Sequence, residues 1–84
     1  MKYQILIQRA AQKELMKITA PYRARVIQAI RELENNPRPI GTKKLTGRNA
    51  WRIRIGDYRV IYEIHDDRLI VIVVTIGHRR EVYR

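Results

Sequence analysis

The alternation of apolar and polar residues predicts a strand at the start of the chain, followed by two helices. In residues 2–8 every second position is apolar, which is the period of a strand with one buried face. Apolar residues then recur at i, i+4 and i+7 over residues 9–18, as in a short amphipathic helix. A second helix is predicted over 21–35, because Pro21 suits a first helical position and Pro37 disfavours continuation.

Three more strands are predicted in the second half of the chain. They cover residues 51–55, 58–65 and 69–76, with turns at Gly56-Asp57 and Asp66-Asp67. The last strand is apolar on both faces and should lie between two neighbours, of which the N-terminal strand is one. The predicted fold is therefore α+β. An N-terminal strand and a helical hairpin precede a three-stranded antiparallel meander, and the helices pack on one face of a four-stranded sheet.

The segment between the helices and the meander is a loop. Residues 36–50 are rich in proline, glycine and asparagine, which favour turns over regular structure. Ile40 and Leu45 are expected to enter the core. The basic residues of the loop, expected to extend a basic surface, are Lys43, Lys44 and Arg48.

The two hairpin turns predict which residues lie opposite each other. The first turn places Arg54 directly opposite Arg59, and the second places Arg59 opposite Val74. Arg52, Arg54 and Arg59 should then be exposed on the sheet face away from the helices. Like charges directly opposite each other are destabilising, so the arginine pair requires an explanation.

Composition says more about what the protein binds than about how it folds. Its 84 residues include 18 Lys and Arg but only eight Asp and Glu, a net charge of +10. Such a charge favours nucleic acid, an acidic protein or an anionic membrane surface. The sequence has no cysteine, no run long enough to span a bilayer and no signal-peptide pattern. We therefore expect a single domain in the cytoplasm.

The positive charges change type along the chain. All five lysines lie in residues 2–44, whereas every positive residue from position 50 onward is arginine. The planar guanidinium group suits phosphate better than an ammonium does. We hypothesise that the three sheet arginines, with Arg79 or Arg80 at the rim, converge on a phosphate group that offsets their repulsion. The alternative is a solvated arginine face that binds nothing specific.

Few other residues are candidates for chemistry. His65 and His78 have no cysteine or obvious carboxylate partner, so we expect no metal and no cofactor. His78 is the candidate for proton transfer, because it follows the last strand near the arginines. Tyr83 is expected either to pack on the core or to stack on a base.

Several segments resemble the RelE/ParE toxin superfamily, on its RelE side. They read "APYRARVIQAIREL", "LENNPRP", "KKLTGRNAWRIRIGDYRVIYEI" and "IGHRREVYR". The resemblance covers nearly the whole chain, and it implies a single RelE-like toxin domain over residues 1–84. These motifs are more specific for the superfamily than for an activity, since ParE-like members share much of the scaffold.

The resemblance implies a metal-independent endoribonuclease, or mRNA interferase, that inhibits translation. RelE-type toxins enter the ribosomal A site, where the ribose 2′-hydroxyl attacks the adjacent phosphate and a 2′,3′-cyclic phosphate remains. By this resemblance Arg54 and Arg59 clamp the phosphate, Arg79 stabilises or protonates the leaving oxygen, and Tyr83 orients a base. The residues expected to bind substrate are Arg52, Arg80, Lys43, Lys44 and Arg48.

One departure from the superfamily concerns the general base. The two arginine positions of strand 51–55 are lysine in the best-known members, and one of those lysines is a candidate base. Arginine stays protonated in proteins, so Arg54 is a poor base. The 2′ proton would then pass to His78, to ribosomal RNA or to water.

The resemblance also implies the partners and the competing functions. The implied partners are an acidic, RelB-like antitoxin, the ribosome and mRNA, with no membrane and no metal. The alternatives are a ParE-like gyrase inhibitor, a nucleic-acid-binding module without catalysis, or a degenerate toxin retained in a repressor complex.

Overall fold

Two helices separate the first strand from the others in the computed structural model, which describes residues 2–78. The elements are β1 (Gln4–Ile7), α1 (Arg9–Lys17), α2 (Ala20–Glu32), β2 (Lys43–Lys44), β3 (Trp51–Ile55), β4 (Tyr58–His65) and β5 (Ile70–His78). The predicted α+β fold is confirmed. The difference is β2, a strand of two residues that adds a fifth member to the sheet.

The strands form one mixed sheet in the order β1-β5-β4-β3-β2. β1 runs parallel to β5, and the other pairs are antiparallel. The apolar strand β5 therefore lies between β1 and β4, as its sequence predicts. At the other edge, the backbone N–H of Leu45 donates to the carbonyl of Ala50 at 2.9 Å and closes the connection between β2 and β3.

Both helices cover the same face of the sheet. α1 buries Ala11 and Leu15, and α2 buries Val26 and Ile30. The sheet side chains of this core are Ile53, Val60, Tyr62, Ile64, Val71, Val73 and Ile76. Neither helix in the described part of the chain is long and apolar enough to cross a membrane.

α2 ends at Glu32, three residues earlier than predicted. The backbone N–H groups of the next three residues each bond to the carbonyl three positions back, at 3.0–3.2 Å. This is the tighter pattern of a 3₁₀ turn, which often completes the end of an α-helix. The apolar stripe continues through Leu33, which is fully buried. The sequence pattern therefore extends beyond the last α-helical hydrogen bond, which is why the helix was predicted to end too late.

The predicted register between β4 and β5 is wrong by three residues. Arg59 lies opposite Gly77 instead of Val74. Two residues of this shift arise because the connecting turn contains residues 66–69, including Leu69 at a φ of 54°. The third arises from a β-bulge, which leaves Val74 as an extra residue in β5. The bulge allows Val73 and Ile76 to point into the same core.

Ile40 is fully exposed, so the expectation that it enters the core is wrong. The backbone N–H of Thr42 donates to the carbonyl of Pro39 at 3.0 Å, which makes a tight turn around Ile40. Gly41 has a φ of 95°, a conformation that favours glycine. Ile40 therefore lies at the tip of this turn, whereas Leu45 is half-buried.

Candidate functional site

The hairpin of β3 and β4 brings two arginines face to face. Its two-residue turn begins at Gly56, whose φ of 61° is the left-handed conformation that a type II′ turn needs at this position. The predicted register is confirmed here, because Arg54 pairs with Arg59 and Arg52 pairs with Ile61. A short turn therefore fixes where the arginines lie along the sheet.

Three arginines of this hairpin lie on the sheet face opposite the helices. Ile53 and Val60, which alternate with them along the strands, belong to the core beneath the helices. Lys43 pairs with Arg52 across the edge of the sheet and so joins the same face. We call the set of Lys43, Arg52, Arg54 and Arg59 the basic face.

The expectation that all three arginines are exposed is wrong for two of them. Arg59 is 2% exposed and Arg52 is 8% exposed, whereas Arg54 is exposed. β2 pairs only with the first two residues of β3, so Arg54 lies beyond the end of β2 at an open edge. Arg52 and Arg59 instead have a neighbouring strand on each side. Substitutions at these two positions therefore test packing as well as function.

The buried guanidinium groups place positive charge beneath the surface of the basic face. The Nε atom of Arg52 and the Nε and Nη1 atoms of Arg59 are buried. A charge held away from water is screened less than one in solution, so its field at the surface is stronger. An anion at the exposed guanidinium of Arg54 would interact with both charges of the Arg54–Arg59 pair, an arrangement that suits phosphate.

His78 lies on the other side of the sheet from the basic face. It pairs with Tyr58, and the two rings meet edge to face with their centroids 5.6 Å apart. Tyr58 packs against the core and lies 6.1 Å from the ring of Tyr22 on α2. The structure therefore does not bring His78 together with Arg54 and Arg59.

His65 does not belong to a metal centre in the described residues. Its Nε2 atom lies 3.0 Å from Oε1 of Glu63 in a half-buried pair. Within residues 2–78, no group of three or more histidine, aspartate or glutamate side chains is arranged to hold a metal ion.

The two lysines of β2 point to different sides of the sheet. Lys44 pairs with Trp51, and its Nζ atom lies 5.5 Å from the centroid of the indole ring. It therefore faces away from the basic face, which Lys43 joins. Arg48 is exposed in the connection between β2 and β3. The structure brings Lys43 to the arginines and leaves Lys44 and Arg48 at the edge of the sheet.

Arg79, Arg80 and Tyr83 lie outside the residues that the structure describes. Their predicted roles in leaving-group stabilisation, substrate binding and base orientation stay predictions. β5 ends at His78, one residue after Gly77, which faces Arg59.

The sequence reasoning missed a cluster that anchors the loop after α2. Nη2 of Arg38 lies 2.8 Å from Oδ2 of Asp66, and the Tyr3 hydroxyl donates to Oδ1 at 2.6 Å. The hydrogen bonds from Arg38 and then Tyr3 lower the pKa of Asp66 to about 2. The guanidinium of Arg38 also lies 4.9 Å from the centroid of Trp51. The sequence signal for this cluster is an arginine between two prolines, and this signal does not predict which residues Arg38 contacts.

The fold agrees with comparisons to known proteins. The family model described as the ParE toxin of the type II toxin–antitoxin system, parDE, matches residues 5–83. Toxin RelG of Mycobacterium tuberculosis is 28% identical over 88 residues, covering 100% of this chain and 99% of RelG.

Solved structures match over similar lengths. A chain of the toxin–antitoxin complex RelBE2 from Mycobacterium tuberculosis matches with a TM-score of 0.82 and 25% identity, covering 93% of this chain and 92% of its own. A chain of the archaeal RelE–RelB complex from Pyrococcus horikoshii OT3 matches with a TM-score of 0.81 and 26% identity, covering 94% and 97%. The chain therefore belongs to the ParE toxin family of type II toxin–antitoxin systems, within the RelE/ParE superfamily.

Proposed function

We propose that this toxin is a ribosome-dependent endoribonuclease that cleaves mRNA in the A site and so inhibits translation in the cytoplasm. The observation that supports it best is the Arg54–Arg59 pair. Two like charges directly opposite each other, one of them buried, repel each other. A phosphate in the transition state offsets that repulsion, whereas an inhibitor that performs no phosphate chemistry has no need of the pair.

In the proposed reaction, the chain supplies electrostatic stabilisation and positioning. The ribose 2′-oxygen bonds to phosphorus, the bond from phosphorus to the 5′-oxygen breaks, and a 2′,3′-cyclic phosphate forms. Arg54 contacts the phosphate oxygens. Arg59, buried next to Arg54, adds a fixed positive charge that stabilises the negative charge growing on the phosphate in the transition state. Arg79 protonates or stabilises the leaving 5′-oxygen, and Tyr83 orients a base, as the resemblance to RelE-type toxins implies. The reaction needs no metal.

The general base is none of the arginines of the basic face. Arginine remains protonated in proteins, so neither Arg52 nor Arg54 accepts the 2′ proton. His78 contacts Tyr58 on the opposite side of the sheet. In this proposal ribosomal RNA or water takes the proton, and the toxin lowers the barrier by orientation and charge.

Residues around Arg54 extend the path for RNA. Lys43 and Arg52 are paired on the basic face and bind the phosphates that flank the scissile one. Lys44 and Arg48 contribute further phosphate contacts from the edge of the sheet, and Arg80 contributes another from the segment after β5. Each contact releases about one counterion from the RNA backbone, so the affinity for RNA should fall steeply as the salt concentration rises.

The proposed protein partner is an acidic, RelB-like antitoxin. The net charge of +10 favours such a partner, and similar toxins were solved in complexes named RelBE2 and RelE–RelB. An acidic segment over the basic face would neutralise the same charges that bind RNA.

The experiment adds the purified toxin to ribosomes translating a defined mRNA and maps new 5′ ends. The expected result is cleavage within the A-site codon that disappears when ribosomes are omitted. The absence of cuts at every codon tested would refute the proposal.

A second candidate is a ParE-like gyrase inhibitor, because the matching family model is that of ParE toxins. A DNA supercoiling assay with gyrase, run on the same preparation, distinguishes the two. Loss of supercoiling without RNA cleavage supports the gyrase target. RNA binding without either effect supports a module that binds nucleic acid without catalysis.

A further inference from the structure

A concave site lies on the helix-bearing side of the sheet, at the C-terminal end of α1. Its volume is about 170 Å³, and its walls include the rings of Tyr58 and His78. Ile76 contributes an apolar wall, and Glu14 and Lys17 of α1 also line it. We call this site the aromatic pocket.

The aromatic pocket is separate from the basic face but close to it. Tyr58 and His78 form the rung of the sheet next to the one formed by Arg59 and Gly77. Neighbouring residues of a strand point to opposite faces, so the two sites lie back to back at the same end of the sheet. A single polyanionic strand can pass from one to the other around the Gly56 turn.

The rings of the pocket continue into a row with a cation at its end. The ring of Tyr58 lies between those of His78, at 5.6 Å, and Tyr22, at 6.1 Å. The guanidinium of Arg25 lies 5.8 Å from the centroid of Tyr22. His78 is exposed and Tyr22 is 46% exposed, so ring surface is available to a ligand. Aromatic rings next to basic groups are the usual platform for bases of single-stranded nucleic acid.

The size and polar groups of the pocket restrict the ligand further. Pockets for drug-sized ligands usually enclose about 300–1,000 Å³, so 170 Å³ suits one planar ring system with its ribose and phosphate outside. Oε2 of Glu14 lies 3.1 Å from Nζ of Lys17. The carboxylate can accept from an exocyclic amine, and the ammonium can donate to a ring nitrogen or carbonyl oxygen.

We propose that the aromatic pocket binds one base of single-stranded RNA, while the basic face holds a phosphate of the same strand. The inference takes its RNA partner from the proposed function but does not require cleavage. A purine is the favoured base, because purines combine a large stacking surface with an exocyclic amine, and adenine is the probe used below.

The test compares a fluorescein-labelled oligoadenylate of ten nucleotides with an abasic ribose-phosphate oligomer of the same length. Binding to the full chain is measured by fluorescence anisotropy. His78→Ala should weaken oligoadenylate binding about fivefold, the lower end of the range for losing one base–ring contact, and leave the abasic oligomer unaffected. His78→Phe, which keeps a ring, should bind within about twofold of the unmodified protein. A role of His78 in proton transfer does not predict this rescue.

Two comparisons separate stacking from general charge. His65→Ala removes the other histidine, at the far end of β4, and should change neither affinity. Salt dependence separates the two sites. His78→Ala removes no phosphate contact, so the slope of log K for oligonucleotide binding against log salt concentration should stay the same. Arg54→Gln should reduce that slope by about 0.7, the value for one phosphate of a single strand.

Equal binding of the base-containing and abasic oligomers would overturn the inference, as would equal effects of His78→Ala on both. Tyr22→Ala removes the ring that packs against Tyr58 beside the pocket and should also weaken only the base-containing oligomer. Base-dependent binding without RNA cleavage on ribosomes would refute the nuclease proposal and leave the aromatic pocket standing.

Discussion

Replacing Arg54 by glutamine should stabilise the isolated toxin. Arg54 is exposed and lies opposite Arg59, which is 2% exposed. In a two-residue hairpin the pair beside the turn exchanges hydrogen bonds, so the next pair is the closer type, with Cα atoms about 4.5 Å apart. Glutamine keeps a polar side chain of similar length at this position and removes only the charge.

The size of the effect follows from the separation and the exposure of the two charges. Unit charges 4 Å apart repel by about 1 kcal/mol in water and about 4 kcal/mol near a protein surface. Because Arg54 is exposed, the lower value applies, and it agrees with the roughly 0.2–1 kcal/mol typical of cross-strand pairs. We expect a gain of about 0.5–1 kcal/mol, or about 2–8 °C in Tm for a domain of this size.

Thermal unfolding followed by circular dichroism at low and high salt measures this gain. The difference from the unmodified toxin should shrink in about 1 M salt, where the Debye length falls to roughly 3 Å. Arg68→Gln is the matched control, because it removes the same charge from an exposed side chain in the turn between β4 and β5. A Tm for Arg54→Gln that is lower than that of the unmodified toxin, or no higher than that of Arg68→Gln, would refute the reasoning.

Variants at three further positions test other contacts. Tyr62→Phe removes the buried hydroxyl that donates to the Pro37 carbonyl at 2.8 Å, and urea unfolding should show a loss of about 1–3 kcal/mol. An unchanged free energy would contradict this. The pKa of Asp66 is lowered to about 2 by Arg38, so its carboxylate stabilises the fold above its unfolded pKa of about 3.9. That stability is lost as the pH falls toward 2, and Asp66→Asn should flatten the unfolding profile in this window; an identical acid transition would count against it. Arg59→Ala should lower the free energy of unfolding, because it leaves a cavity at a side chain that is 2% exposed. An unchanged free energy in this variant would contradict the buried position of Arg59.

The arginine pair was predictable because two local signals agree. A Gly-Asp turn of two residues fixes the register, and strict alternation in β3 fixes the face. The burial of Arg52 was not predictable, because it depends on β2. A strand of two lysines has no hydrophobic period, so the sequence pattern does not reveal it.

His78 was expected near the arginines, and the β-bulge in β5 is what puts it on the opposite face of the sheet. The apolar run of β5, with Thr75 inside it, gives no sign of a bulge, so Val74 was paired as an ordinary residue. The bulge adds one residue to the two that come from the longer turn, and the total shift of three, an odd number, moves every β5 side chain beyond the bulge to the other face of the sheet. Gly77 and not His78 therefore shares the face of Arg59.

The most direct test of the central claim uses an mRNA with a single 2′-deoxynucleotide at the cleaved position of the A-site codon. With ribosomes and the unmodified toxin, the ribose version should give a 2′,3′-cyclic phosphate end, and the deoxy version should stay intact. Arg54→Gln, although more stable, should cut the ribose version at least about tenfold more slowly, as expected from losing one charged contact to the phosphate. Cleavage of both versions at the same rate, or full activity of Arg54→Gln, would contradict the account.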